Sequence, residues 1–150
     1  MSDAKPSRLP PSQRSDFVAF RMLQSRWMDN DIYGHMNNVV RYSLFYTAVN
    51  GWMMEQGILD PHKGESYGLV VETGCRYHTE LAFPQVILAG LRVSKLGKSS
   101  VRFDIGLFGD DAMRAAADGF FVHVHVSRSD HRSVPIPHAA RATFSALQRP

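Results

Sequence analysis

The sequence predicts an α+β domain: an antiparallel five-stranded sheet wrapped around one long central helix, closed by a short C-terminal helix. Three observations carry this prediction. The segment between Asn37 and Gly57 is apolar over well over half of a helical circumference, the segments after it alternate with the period of strands, and the order reads strand, long helix, four strands, short helix. A helix apolar on that much of its surface has to be enclosed, and a curved sheet can enclose it.

The 150 residues suffice for one domain with a real core and are too few for two. Residues 1–15, with Pro6, Pro10 and Pro11 among polar side chains, are expected to form a flexible tail, leaving 16–150 as the domain. With 44% apolar and 21% charged residues, the composition is that of an ordinary soluble globular protein. The single cysteine, Cys75, cannot form an internal disulfide, and no apolar run approaches the ~20 residues of a membrane span. No apolar signal core precedes the domain, so the reading is a cytoplasmic protein without a membrane partner. The net charge of +3 comes from scattered Lys and Arg rather than a basic stripe, which argues against nucleic acid and for a modest field suited to a phosphorylated ligand.

Residues 16–27 are expected to form the first strand, through Phe17, Val18, Phe20, Met22 and Leu23. Asn37 or Asn38 can cap the long helix and Gly57 can end it. Around that helix Val40, Leu44, Phe45, Tyr46, Ala48, Val49, Trp52 and Met53 leave only a narrow polar wedge of Ser43, Thr47 and Asn50. Leu69, Val71, Thr73, Cys75 and Tyr77 then alternate with Val70, Glu72, Gly74, Arg76 and His78 in a second strand. Val86 to Ser94 forms the third, and Val101, Phe103, Ile105 and Leu107 alternate in the fourth, which ends in the turn Gly109-Asp110-Asp111. The fifth runs from about Met113 to Arg128 with Phe120, Val122, Val124 and Val126 on one face, and Gly119 is read as a bulge. Pro137 opens the terminal helix carrying Ala139, Ala140, Phe144 and Leu147.

The chemistry is expected just before the long helix, in Arg26-Trp-Met-Asp-Asn-Asp-Ile-Tyr-Gly-His-Met-Asn-Asn38. Two carboxylates, an imidazole, a glycine and two asparagines precede helix-start N–H groups that have no internal partner and that favour a developing oxyanion. The pattern Asp-x-Asp-x-x-Gly-His-x-Asn-Asn ahead of a long helix resembles the hot-dog-fold acyl-CoA thioesterases of the 4-hydroxybenzoyl-CoA thioesterase type. More loosely, the likeness continues through the Glu72–Tyr77 strand, Leu96-Gly-Lys-Ser-Ser100 and Ser133-Val-Pro-Ile-Pro137.

The resemblance implies a hot-dog fold and hydrolysis of a small or medium, also aromatic, acyl-CoA. It further implies a homodimer or homotetramer with interfacial sites, and no cofactor beyond the coenzyme A of the substrate. It assigns Asp31 as nucleophile or general base and the backbone amide of Asn38 as the oxyanion donor. Asp29 is then structural, bonding loop backbone or Arg26, although two aspartates before a helix also simply shape a turn. Gly34 serves a close approach or a positive φ. His35 has three roles open to it: orienting Asp31, donating to the carbonyl, or bonding within the loop. Tyr33 and Met36 are expected to line the acyl pocket.

Glu72, within a strand, needs a partner: it counts among the substrate-binding candidates as a second catalytic group or, the favoured reading, as a structural partner for Arg41, Arg76 or a neighbouring subunit. Ser99 and Ser100 border the pantetheine arm in the family, and Lys98, Arg128 and Arg132 are candidates for the coenzyme A phosphates. His123-x-His125 sets two imidazoles on one strand face, but no third ligand has suitable spacing, so no metal is assigned and a partly buried interface is expected there. Two rival functions share these residues: an acyl-thioester hydratase or dehydratase, and a non-catalytic acyl-CoA binding module.

Overall fold

The computed structural model describes residues 9–149. Strand β1 (Ala19–Gln24) leads to helix α1 (Asn38–Glu55), then to β2 (Ser66–Tyr77), β3 (Val86–Leu96), β4 (Ser100–Gly109), β5 (Ala117–Ser127) and helix α2 (His138–Ala146). The five strands form one antiparallel sheet in the order β1-β3-β4-β5-β2. This is the hot-dog architecture, with α1 lying along the sheet. Among the described residues no helix is long and apolar enough to cross a membrane.

Local chemistry sets the bounds of α1. The Asn37 side chain accepts from the Val39 N–H at 2.8 Å and its carbonyl accepts from Val40, so Asn37 is the cap. Gly57, at φ +72°, turns the chain away after the last turn. The face carrying Phe45, Ala48, Val49, Trp52 and Met53 is buried against the sheet. Phe144 of α2 stacks on Trp52 with centroids 6.3 Å apart and meets Phe103 of β4 edge-on at 5.5 Å. Each such buried ring contributes roughly 2–3 kcal/mol. The sheet of one chain covers only one side of α1, however: Val39, Tyr46 and Met54, on other faces, are half or more exposed.

Several expectations are corrected by packing. Residues 1–8 lie outside the described residues, but from Ser12 onward the expected tail is anchored. The Ser12 N–H donates to Asp118, Ala115 donates to the Ser12 carbonyl, and Gln13 bridges to Arg114. The first strand is shorter than residues 16–27, with 3-10 turns at Arg14–Asp16 and Trp27–Asp29 on either side. Phe17 packs against Gly90, Gly106 and Phe108, in a small core separate from the main one. Gly119 is not a bulge: it holds regular register with Ile105 and Cys75, and a Cβ there would stand 2.9 Å from the Phe45 ring.

The register shifts occur instead at Val70/Glu72 and Val93/Lys95. The first changes the phase of β2, so Val70 packs on the core with Cys75 and Tyr77, while Leu69 and Val71 are exposed. On β5 the buried set is Ala117, Gly119, Phe121, His123, His125 and Val126, and Phe120, Val122 and Val124 are only half-buried on the opposite face. His123 sits in the core beside the rings of Phe103 (5.4 Å) and Phe121 (6.2 Å), not at an interface. Burial and the neighbouring His125 push its imidazole down to about 4, and burial lowers His125 as well. Among the described residues no group of three His, Cys, Asp or Glu side chains is placed to hold a metal ion.

Candidate active site

The loop before α1 is a small hairpin built by its own polar residues. Asp29, 1% exposed, accepts from the Arg26 N–H at 2.7 Å and from its guanidinium at 2.9 and 3.1 Å, the pairing expected of a structural aspartate. Its carbonyl accepts from Asn37 at 2.9 Å, and Asn30 bridges to Met36. One step further out, the Asp31 N–H donates to the His35 carbonyl at 2.7 Å and Gly34 donates back to the Asp31 carbonyl at 3.1 Å. Gly34 has φ +80° and no atom within 4 Å of an added Cβ, so the backbone conformation, rather than close approach, calls for glycine there.

Asp31 therefore lies about 7 Å along this ladder from the Asn37 cap. Its Oδ1 accepts from the Tyr33 N–H at 2.8 Å and the His35 N–H at 3.3 Å. No bond to Oδ2 is made among the described residues, so the loop orients the carboxylate and leaves one oxygen available. His35 contributes a backbone donor and an exposed imidazole.

At the helix start the Val39 N–H is occupied by the cap, and Val40 and Arg41 donate to the Asn37 carbonyl. Among the described residues the Asn38 N–H has no acceptor and is the open donor. It shares a peptide unit with that carbonyl, whose two accepted bonds polarise it further.

A cavity of about 490 Å³ opens beside Asp31 against Trp27, Asn30, Ile32 and Gly34. In this loop and the first turn of α1, Trp27, Met28, Ile32, Tyr33 and Val39 are each at least 73% exposed. Tyr33, expected to line the acyl pocket, is 79% exposed and does not line this cavity. Nor does Met36: at 1% exposed, with its N–H donating to the Leu81 carbonyl, it belongs to the core beneath the loop.

The remaining expected residues lie elsewhere. Glu72 is exposed on the edge strand β2, and Arg41 pairs with Glu80 instead, at 3.0 Å. Ser99 gives its carbonyl to the His125 N–H, and Ser100 opens β4. Lys98 is exposed and gives its carbonyl to Ile136. Arg128 is tied to the carbonyls of Gly64 and Pro61, and Arg132 extends into solvent, 4.0 Å from Asp130. Lys98, Ser99, Ser100, Arg128 and Arg132 share the end of the sheet opposite to Asp31, whereas Glu72 pairs with Val122 in mid-sheet. Ser100 pairs with Val124 and Tyr77 with Ala117, and that spacing along β5 is about 23 Å. Beside Arg128 a second cavity of about 610 Å³ runs along the open face of α1, lined by Tyr46, Asn50, Met54, Tyr67 and His131 among others.

From the sequence Arg41 is only a candidate partner of Glu72, and Tyr77 only a strand residue; the two meet beneath the helix start. Arg41 is in phase with Phe45, Ala48 and Trp52 at helical spacing, which marks it as inward-facing. Tyr77 has no comparable signal, because its partner is 39 residues away. Burial pushes the nearby Cys75 thiol up to about 11, so it is no competing nucleophile at neutral pH.

The model of a family described as the thioesterase-like superfamily matches residues 25–144. Among solved structures, the PA5185 protein of Pseudomonas aeruginosa strain PAO1 is 47% identical with a TM-score of 0.89, covering 93% of this chain and 97% of that one. The PA2801 protein of the same organism is 25% identical with a TM-score of 0.79, covering 85% and 98%. Slr0204, a 1,4-dihydroxy-2-naphthoyl-CoA thioesterase from Synechocystis, shares the fold at 13% identity and a TM-score of 0.78, covering 85% and 96%. No curated protein matches the chain.

Proposed function

The chain belongs to the thioesterase-like superfamily, and from that premise we propose that it is a cytoplasmic acyl-CoA thioesterase using Asp31 and the Asn38 amide. The observation that carries this is the pairing of a loop-oriented carboxylate with one free oxygen and an unoccupied N–H at the opening of α1. In hydrolysis the thioester oxygen accepts from the Asn38 N–H as charge develops on it, an interaction worth about 3 kcal/mol in the transition state. Oδ2 of Asp31 either takes a proton from the attacking water or attacks the carbonyl carbon to give an anhydride that water then opens. In both routes the C–S bond breaks and coenzyme A leaves as a thiolate that takes up a proton. Labelled oxygen from water, found in Asp31 after a single turnover, marks the anhydride route.

The complete site requires two copies of the chain. Strand β2 is a twelve-residue edge paired on one side by β5, with Leu69 and Val71 exposed on it. Antiparallel pairing of two β2 edges about a two-fold axis reverses one sheet against the other, as closed dimers do. It sets one copy's Tyr67–Arg128 end beside the other's helix start. The 610 Å³ cavity, mostly apolar with aromatic walls, then takes the acyl group, and Lys98, Ser99, Ser100, Arg128 and Arg132 flank the pantetheine and phosphates.

The test is thiol release from a panel of benzoyl-, arylacetyl- and C4–C10 aliphatic coenzyme A thioesters. Release by the wild-type protein that falls at least 100-fold in Asp31→Asn, with the fold retained by circular dichroism, is the expected result. Retained release in Asp31→Asn overturns the assignment of Asp31, and no release from any thioester overturns the activity.

A further inference from the structure

Two side chains that the chemistry above does not use converge on the opening turn of α1. Tyr77, at the end of β2, donates its hydroxyl to the Asn38 carbonyl at 3.2 Å. Arg41 is 1% exposed and lies with its guanidinium 4.8 Å over the Tyr77 ring centroid. Its Nη2 is 3.0 Å from Glu80 Oε2, Nη1 donates to the Thr79 carbonyl at 3.3 Å, and the buried Nε has no acceptor among the described residues.

As packing alone, this is a costly arrangement. A buried guanidinium gives up its hydration, its counter-charge Glu80 is 60% exposed, and a cation in the first turn opposes the helix dipole. A hydrophobic residue in phase with Phe45 and Ala48 would fill the same space without those costs. The arrangement has an effect that a hydrophobic residue could not supply. It holds a permanent positive charge in a low-dielectric position behind the peptide units that open α1, and it ties the Asn38–Val39 unit, next to the one that carries the open Asn38 N–H, to the sheet.

On the premise of the thioester chemistry above, we propose that Tyr77 and Arg41 are positioning residues: they lock the Asn38 end of α1 onto β2 and add positive field at its open amide. Neither touches the reacting atoms. Burial and the neighbouring Cys75 thiol push the Tyr77 hydroxyl up to about 12, so it remains a donor to the Asn38 carbonyl at any working pH. The stacked guanidinium fixes the ring that carries this hydroxyl.

The test compares Tyr77→Phe, Arg41→Lys and Arg41→Met with the wild type, using the best-hydrolysed thioester of the panel. Tyr77→Phe removes one oxygen and keeps the ring under Arg41, so it stays informative if an Arg41 variant fails to fold. It is expected to lower kcat about tenfold with KM within twofold, from the loss of one oriented hydrogen bond. In an Asp31→Asn background, the carbonyl stretch of the bound thioester, labelled with carbon-13, is expected to rise when Tyr77→Phe is added, because the Asn38 amide is no longer held in place against the thioester oxygen. Arg41→Lys is expected to keep more kcat than Arg41→Met, since it retains the charge.

An unchanged kcat in Tyr77→Phe, or a loss confined to KM with the stretch unmoved, overturns the proposal. Equal kcat in the two Arg41 variants overturns the part assigned to charge. These failures differ from failure of the thioesterase reading, in which the wild-type protein itself releases no thiol.

Discussion

Acid should weaken this protein through the histidines of its core. His123 lies 3% exposed beside the rings of Phe103 and Phe121, with its Nε2 unpartnered among the described residues. Its folded-state value is about 4, and an unfolded histidine titrates near 6.5. Between those two values the unfolded chain binds a proton that the folded chain does not, so stability falls as pH falls, starting at 6.5 and levelling below about 4. The slope for one such group is about 1.4 kcal/mol per pH unit, and the whole interval amounts to about 3 kcal/mol, a large part of the ordinary stability of a domain. His125, lowered in the same direction, adds to the slope.

The assay is urea unfolding at pH 7.5, 6.5, 5.5 and 4.5, at one fixed protein concentration so that any subunit association is held constant. His123→Leu places an apolar side chain between the same rings and removes the titration. Its stability should fall less steeply below pH 6.5 than that of the wild type, by about one proton's slope. Equal slopes for the two proteins would refute the reasoning, because the buried imidazole would then not be the group that resists protonation.

Other outcomes follow from single contacts. Gly119→Ala puts a methyl group 2.9 Å from the Phe45 ring and should cost about 1–3 kcal/mol in chemical unfolding by overpacking the helix against the sheet. Gly34→Ala meets no neighbour but forces a side chain into φ +80°; about 1–2 kcal/mol should be lost, together with thiol release, since the turn orients Asp31. Val71→Lys, on the exposed edge of β2, should leave the monomer fold unchanged by circular dichroism. By sedimentation it should shift the protein toward monomer, and thiol release should fall with the dimer fraction.

The readable part of the sequence was the part whose physics is local. Asn37 as a cap, Gly57 and Gly34 in left-handed turns, the Arg26–Asp29 pair and the alternation of Val101, Phe103, Ile105 and Leu107 are each settled by neighbours within a few residues. That is why the bounds of α1 and the shape of the Asp31 loop were legible. The tertiary structure alone decided which face of a strand meets the helices. One extra residue at Val70/Glu72 reverses the phase of half of β2, and on β5 the histidines go inward while Val122 and Val124 stay half-buried, because Phe103 of the neighbouring strand packs on His123. Contacts such as Tyr77 with Asn38 and Arg41 with Glu80 depend on register across some 39 residues. A short-range pattern carries no information about such a register until the whole sheet has been paired.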